Sequence, residues 1–238
     1  MHVMEALFAV AKIGKYATSE SGDSVEMVER PGGGVSFVLV DGQLSGKPAK
    51  AIANVVSRKA ISLLADGVRD GAAARAASDY LYTYRQGKVS ATLNILSVDF
   101  YTKSLVITRN NHAPAIVVRD QDITVMDEPS DAVGTRRGIR PRIEEIPLVP
   151  NLAAVIYSDG LVHAGDRIGK QVDVLHEIQA LLDSSNQSAQ GWADHLLSCA
   201  LALDEDRPID DISILVALII ENGQHDIRKM SVDFPITC

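Results

Sequence analysis

Cysteine is scarce: the 238 residues hold only Cys199 and Cys238, and the two show no metal-ligand spacing. A disulfide framework is therefore not expected, and a reducing cytoplasm is the compartment that fits. Basic charge is also short. Lys and Arg total 23 against 31 Asp and Glu, for a net charge of -8 and a pI near 5.2. That argues against nucleic acid as a partner, because a phosphate backbone needs clustered cations. No long hydrophobic run occurs. The longest apolar stretch, Ile212 to Ile220, is too short to cross a bilayer, so no membrane partner is expected. The opening MHVMEALFAV lacks the basic region and cleavage pattern of a secretory signal. Repeats, low-complexity tracts and linkers are missing, and PGGG at 31–34 lacks the lysine and serine of a nucleotide-binding loop. The expectation is one domain over residues 1–238, cytoplasmic, with 46% hydrophobic residues to build its core.

What is present reads as strands and helices in blocks. Val3 to Ala17 suits one or two strands, DSVEMVER alternates as a strand does, and VSFVLV is a buried strand after a PGGG turn. Apolar residues then recur near period 3.6 from Lys47 to Ala65, and an alanine-rich helix follows from Gly71 to Gln86. KVSATLNILSVDF and KSLVITRN read as a hairpin turning at Tyr101-Thr102; APAIVVRD and DITVMDE read as another pair. After an irregular basic stretch, SDAVGTRRGIRPR, come strands at IEEIPL and LAAVIYSD. Helices are expected over Lys170 to Leu182 and Ser188 to Leu203, then a strand at ISILVALII and a last edge strand at DIRKMSVDFP. Hairpins predominate, so antiparallel sheets with helices outside, an α+β fold, are expected rather than a parallel doubly wound sheet.

Acids recur where apolar strands end. VLVDG places Asp41 and Gly42, VIYSDG places Asp159 and Gly160, PIDDISIL places Asp210 and Asp211 before a strand, and SGD places Asp23. Singly, each is an ordinary turn residue: Asp-Gly alone has about even odds of being only a turn. Jointly they are harder to dismiss. Strands that pair in one core bring their ends together, and converging carboxylates repel or take up protons unless a cation lies among them. An all-oxygen set without supporting His or Cys favours Mg²⁺ or Mn²⁺ over zinc.

These motifs resemble the metal-dependent type 2C (PPM) serine/threonine protein phosphatases, in their SpoIIE-like bacterial branch. SGD at 21–23, VDGQLSGKPAK at 40–50, NNHAPAIVV at 110–118, YSDGL at 157–161 and DDISIL at 210–215 come in the family's order and about its spacing, over nearly the whole chain. Each is weak alone; in order they are specific. The resemblance implies an α-β-β-α sandwich of two packed antiparallel sheets flanked by helices. It implies two ions, Mn²⁺ or Mg²⁺, or a third as well. Asp41 would bridge two ions, the Gly42 carbonyl would hold one, and Asp159 and Asp210 would hold the other. Asp23 would act directly or through a water. Asp211 is the alternative to Asp210, which is preferred. Asp41, Asp159 and Asp210 are the expected catalytic residues. The implied reaction is hydrolysis of phosphoserine or phosphothreonine on a STAS-domain anti-sigma antagonist or a stressosome component.

The chain also departs from the pattern. Leu44 stands where most relatives have a small residue, and Asn111-His112 replaces a Gly-His pair. The catalytic motifs begin by Asp23, so a stand-alone catalytic domain is expected. His112 is read, at roughly three to one, as a locally bonded histidine rather than a general acid. Arg136, Arg137, Arg140 and Arg142 are read first as solvated or partner-facing, Lys47 and Lys50 as surface charges, and Met27 and Trp192 as packing residues. Two competing functions remain: a phosphatase-like binding module without catalysis, and a small-molecule phosphoesterase. Converging acids argue against the first. The second usually shows histidine-rich ligands or a phosphate-binding glycine loop.

Overall fold

A computed structural model describes residues 4–184, 188–221 and 227–235. Among these described residues ten strands form two five-stranded sheets, and every ladder is antiparallel. The strands are β1 (Met4–Ile13), β2 (Ser24–Glu29), β3 (Gly34–Gly42), β4 (Ala91–Asp99), β5 (Ser104–Asn110), β6 (Ala115–Arg119), β7 (Asp122–Met126), β8 (Arg142–Pro147), β9 (Leu152–Tyr157) and β10 (Ile212–Glu221). One sheet runs β2-β3-β4-β5-β8 and the other β1-β10-β9-β6-β7. The helices are α1 (Gly46–Ala65), α2 (Asp70–Arg85), α3 (Asp159–His163), α4 (Val174–Asp183) and α5 (Ala189–Leu203).

Period-2 alternation explains the layering. In β10, Ile212, Ile214, Val216 and Leu218 face one apolar cluster with α4 and α5, while Leu215, Ala217 and Ile219 face another between the sheets. A strand covered on both faces has no polar side, which is why ISILVALII is continuously apolar. In β3, Val38 and Val40 turn to α1 and α2, and Leu39 turns to the opposite sheet. The result is the expected helix-sheet-sheet-helix stack, with Trp192 packed in the α5 layer.

Of the one or two strands expected over Val3 to Ala17, one forms, β1, and Val3 itself lies outside the described residues. Other expectations need correction. The helix expected from Lys170 starts at Val174, because the Asp173 side chain accepts from the His176 amide and sets the N-cap. The last edge strand does not form. Ile227–Pro235 has no regular secondary structure, and Asp226 lies outside the described residues. Ile227, Met230, Val232 and Phe234 are all exposed. A strand needs an apolar layer for one face, and these side chains meet none.

Candidate active site

The register brings the acids to one end of the sandwich. Ser24 of β2 pairs with Val40 of β3, so one further step sets Asp23 opposite Asp41. Tyr157 of β9 pairs with Ile214 of β10, so Asp159, just past β9, and Asp210, just before β10, leave the same end of the sheet, close enough for each charge to act on the other. One pair comes from each sheet.

Glycines allow the close approach. A Cβ on Gly42 would collide with the Ala49 carbonyl of α1, and one on Gly160 with the Asp211 carbonyl. The Asp-Gly dipeptides that read as turns are therefore packing points: the glycine lets the backbones meet and the aspartate rides at the junction. Ser158 locks the β9–β10 side. Its amide donates to the Ser213 carbonyl (2.9 Å), its hydroxyl donates to the Asp211 carbonyl (3.3 Å), and it accepts from the Ser213 amide (2.9 Å).

The electrostatics follow from convergence. Asp41 has its pKa pushed up to about 10, first by burial and then by the carboxylates of Asp23, Asp159 and Asp210. Asp23 is raised to about 6, again mainly by burial, with the Ser213 hydroxyl and the Lys12 ammonium opposing. Asp210 is raised by burial and by Asp159, while the Asp211 amide acts the other way. Asp23 is completely buried, and among the described residues neither of its carboxylate oxygens has a partner at full hydrogen-bond geometry, although the Ser213 and Ser158 hydroxyls lie near enough to favour its charged form. Buried carboxylate oxygens are ordinarily satisfied, so this pair is an unmet demand for a proton or a cation.

Asp210 and Asp211 separate by what they hold. Asp211 accepts the Lys15 amide on Oδ1 (2.9 Å) and the Gly22 amide on Oδ2 (2.8 Å), and it is 4% exposed. Both of its oxygens thus serve the β1–β2 loop. Among the described residues Asp210 accepts only the adjacent Asp211 amide, on Oδ1 at 2.9 Å. Asp41, Asp159 and Asp210 are each partly exposed, so an ion has a way in.

Two lysines were missed or misread in the sequence. Lys12 of β1 and Lys50 of α1 both donate to the Asp23 carbonyl, at 2.6 and 2.5 Å. They set positive charge beside the acids, and burial followed by Lys50 lowers the Lys12 pKa to about 8. Lys50 is half-buried rather than a surface charge, whereas Lys47 is exposed as expected. A lysine within the apolar run LFAVAKI was the available signal for Lys12.

In the middle motif, Asn111 is buried. It donates from Nδ2 to the Tyr157 carbonyl (3.3 Å) and accepts the Ala113 amide (3.0 Å), bracing the strand that leads to Asp159. His112 beside it is exposed. Gln43 pairs with Ser90 through backbone and side chain, fastening the loop after Asp41 to the start of β4. In that loop Leu44 is 67% exposed with φ of 86°, a left-handed conformation unusual for a bulky residue.

Three of the loop arginines already have company: Arg136 pairs with Asp131, Arg142 with Glu128, and Arg137 lies over the Tyr82 ring. The loop is tied to the site's edge. Val133 bridges Ala91, and Ala91 pairs with Gly42.

This four-layered stack, with acids at the ends of its central strands, is the PP2C phosphatase fold. Residues 31–219 match the family model of Stage II sporulation protein E (SpoIIE), and the chain belongs to that family. Among curated protein sequences no relative matches. Among solved structures, the PP2C phosphatase domain with a fragment of the regulatory domain of SpoIIE from Bacillus subtilis superposes with a TM-score of 0.80. The two are 17% identical over 94% of this chain and 66% of that one. The catalytic domain of the serine/threonine phosphatase PstP, in complex with two manganese ions, has a TM-score of 0.71 and 16% identity over 92% of this chain and all of that one. RsbX in complex with magnesium has a TM-score of 0.69 and 14% identity over 92% of this chain and all of that one.

Proposed function

We propose that the chain is a metal-dependent phosphatase that hydrolyses phosphoserine or phosphothreonine on a protein. The carrying observation is Asp23. A wholly buried carboxylate whose oxygens, among the described residues, meet no partner at full hydrogen-bond geometry, set among Asp41, Asp159 and Asp210, fits a divalent cation. The all-oxygen donors match Mn²⁺ or Mg²⁺, the ions that the names of the PstP and RsbX structures carry.

Asp41, which feels the charge of Asp23 from one sheet and of Asp159 and Asp210 from the other, would be the ligand shared by two ions. The Gly42 carbonyl would hold one of them, with Asp23 beside it, and Asp159 and Asp210 would hold the other. Bound there, the ions lower the pKa of water and neutralise charge on the phosphoryl oxygens. The chain's part is to hold these carboxylates on strand ends that cannot drift, fixed by Ser158, Asp211 and Asn111. The family and the arginine loop beside the site support a folded phosphoprotein as substrate. A STAS-domain anti-sigma antagonist or a stressosome component is the class we favour.

The test is turnover on a panel of phosphoproteins with Mn²⁺, with Mg²⁺ and after chelation. Activity should require one of the ions. Asp41→Asn and Asp159→Asn should each cut turnover by at least the roughly 100-fold that losing even an outer-shell partner of a metal can cost. Each variant should melt in chelator no lower than the parent, since a like charge has gone. Full turnover without metal, or in either variant, would reject the reading.

A further inference from the structure

Away from the acids, α4 and α5 carry a second set of ligand-type side chains. Glu177 projects from α4, and His195 and Cys199 lie one turn apart on α5. Their donor atoms all fall within 4.8 Å of one another, and among the described residues no other group of His, Cys, Asp and Glu is so compact. We propose that Glu177, His195 and Cys199 bind one transition-metal ion, with zinc(II) the best chemical match, and that the ion clips α4 to α5.

The geometry argues for a shared centre. Glu177 Oε2 lies 2.7 Å from His195 Nε2, and Cys199 Sγ lies 3.7 Å from the same nitrogen. A tetrahedral zinc with ordinary bond lengths sets sulfur and nitrogen roughly 3.6 Å apart, and nitrogen and oxygen roughly 3.4 Å apart. The sulfur-nitrogen separation already fits, and the carboxylate needs to withdraw by well under 1 Å. The Cys199 thiol is hydrogen-bonded to Glu177 as well as facing His195, so all three donors already converge on one point. A nucleophilic triad is excluded by the same fact: it needs thiol and carboxylate on opposite ring nitrogens, and here both address Nε2. The set is also reachable, with the His195 side chain 38% and the Glu177 side chain 24% exposed.

The donors identify the ion class. Thiolate, imidazole and carboxylate together select a borderline-soft ion such as zinc over the hard Mg²⁺ or Mn²⁺ of the acidic site. Three protein ligands leave a fourth position for water. Binding releases the thiol proton, because the thiolate is the ligand. Sequence spacing hid the site. His195 and Cys199 are four apart on a helix, a separation that puts them on one face, but the third ligand comes from another helix.

The experiment uses the full chain, stripped with chelator and titrated with Co²⁺ as the probe. The readout is the thiolate-to-cobalt charge-transfer band, which an all-oxygen site cannot produce. We expect the band to saturate at one equivalent and to be bleached by Zn²⁺. It should persist in Cys238→Ser and in Asp41→Asn, disappear in Cys199→Ser, and need at least about 10–100-fold more cobalt in His195→Gln. Zinc should raise the melting temperature of Cys238→Ser by more than that of Cys199→Ser, which keeps only the acidic site, and the two should melt alike in chelator. Absence of the band, its survival in Cys199→Ser, or its loss in Cys238→Ser would overturn the proposal. Persistence in Asp41→Asn keeps this outcome separate from that of the phosphatase reading.

Discussion

Asp210 and Asp211 are neighbours with different obligations. Both Asp211 oxygens are committed to the Lys15 and Gly22 amides, so Asp211 holds the loop that presents Asp23. Asp210 has one short-range amide partner, and around it the like charges of Asp159 and Asp211 stand against the single cation Lys15. The two should therefore fail differently. Asp211→Ala strands two amides that lie within the fold, and should lower stability by on the order of 2 kcal/mol or more. Asp210→Ala removes a repelling charge, so stability in chelator should hold or rise while the Mn²⁺ concentration needed for turnover climbs steeply. Denaturant titrations in chelator, paired with Mn²⁺ activation curves, distinguish the two. If Asp210→Ala is the destabilised protein and Asp211→Ala the metal-starved one, the assignment of the pair is reversed.

At the scale of elements, α2 is seated by a buried polar cluster. Arg30 donates to Asp70 at 2.7 Å and to the Val68 carbonyl at 3.2 Å, and the Ser97 hydroxyl also donates to Asp70. Both charged side chains are 7% exposed. Removing one partner leaves the other charge buried and alone, so Asp70→Ala should cost about 3–5 kcal/mol, visible in equilibrium unfolding. A loss under about 1 kcal/mol would show that water replaces the carboxylate. The loop between β3 and α1 stores strain instead. Leu44 in its left-handed conformation costs about 1–3 kcal/mol, against the roughly 0.5–1 kcal/mol that glycine's extra freedom costs on folding. Leu44→Gly should therefore leave stability unchanged or raise it by about 1 kcal/mol. A clear drop in melting temperature would mean the leucine makes contacts that outweigh the strain.

Over the whole molecule, the acid cluster couples stability to pH and to metal. Asp23 and Asp41 hold their protons in the fold to higher pH than an ordinary carboxylate does. The folded state then binds more protons than the unfolded one above pH 4 or so. Their contribution is full below that point and is lost as pH rises through the folded values. In chelator, stability should fall from pH 4 upward, first across the range near pH 6 where Asp23 ionises and then further as Asp41 does. With Mn²⁺ present the trend should reverse over the same range, because the ion binds the ionised acids. Melting curves from pH 4 to 9, with and without Mn²⁺, measure this. Two parallel profiles would show that the acids do not share an ion. No described helix is long and apolar enough to cross a membrane.

Much of this was legible in the residues themselves. Apolar alternation marks most of the strands, the 3.6 period marks α1, and Asp-Gly after an apolar run marks where acids ride on strand ends. Those are local patterns, and they follow from the periods of strand and helix. Tertiary structure decided what depends on partners distant in the chain. DIRKMSVDFP has the composition of a strand but finds no layer to cover it. Asp211 looks identical to Asp210 until Lys15 and Gly22 arrive from nearly two hundred residues away. Lys12 and Lys50 show their common target, the Asp23 carbonyl, only once β1 and α1 meet. Glu177 becomes a neighbour of Cys199 only through the packing of α4 on α5. Periodicity tells which face a side chain occupies; what stands opposite that face is set by how the layers close.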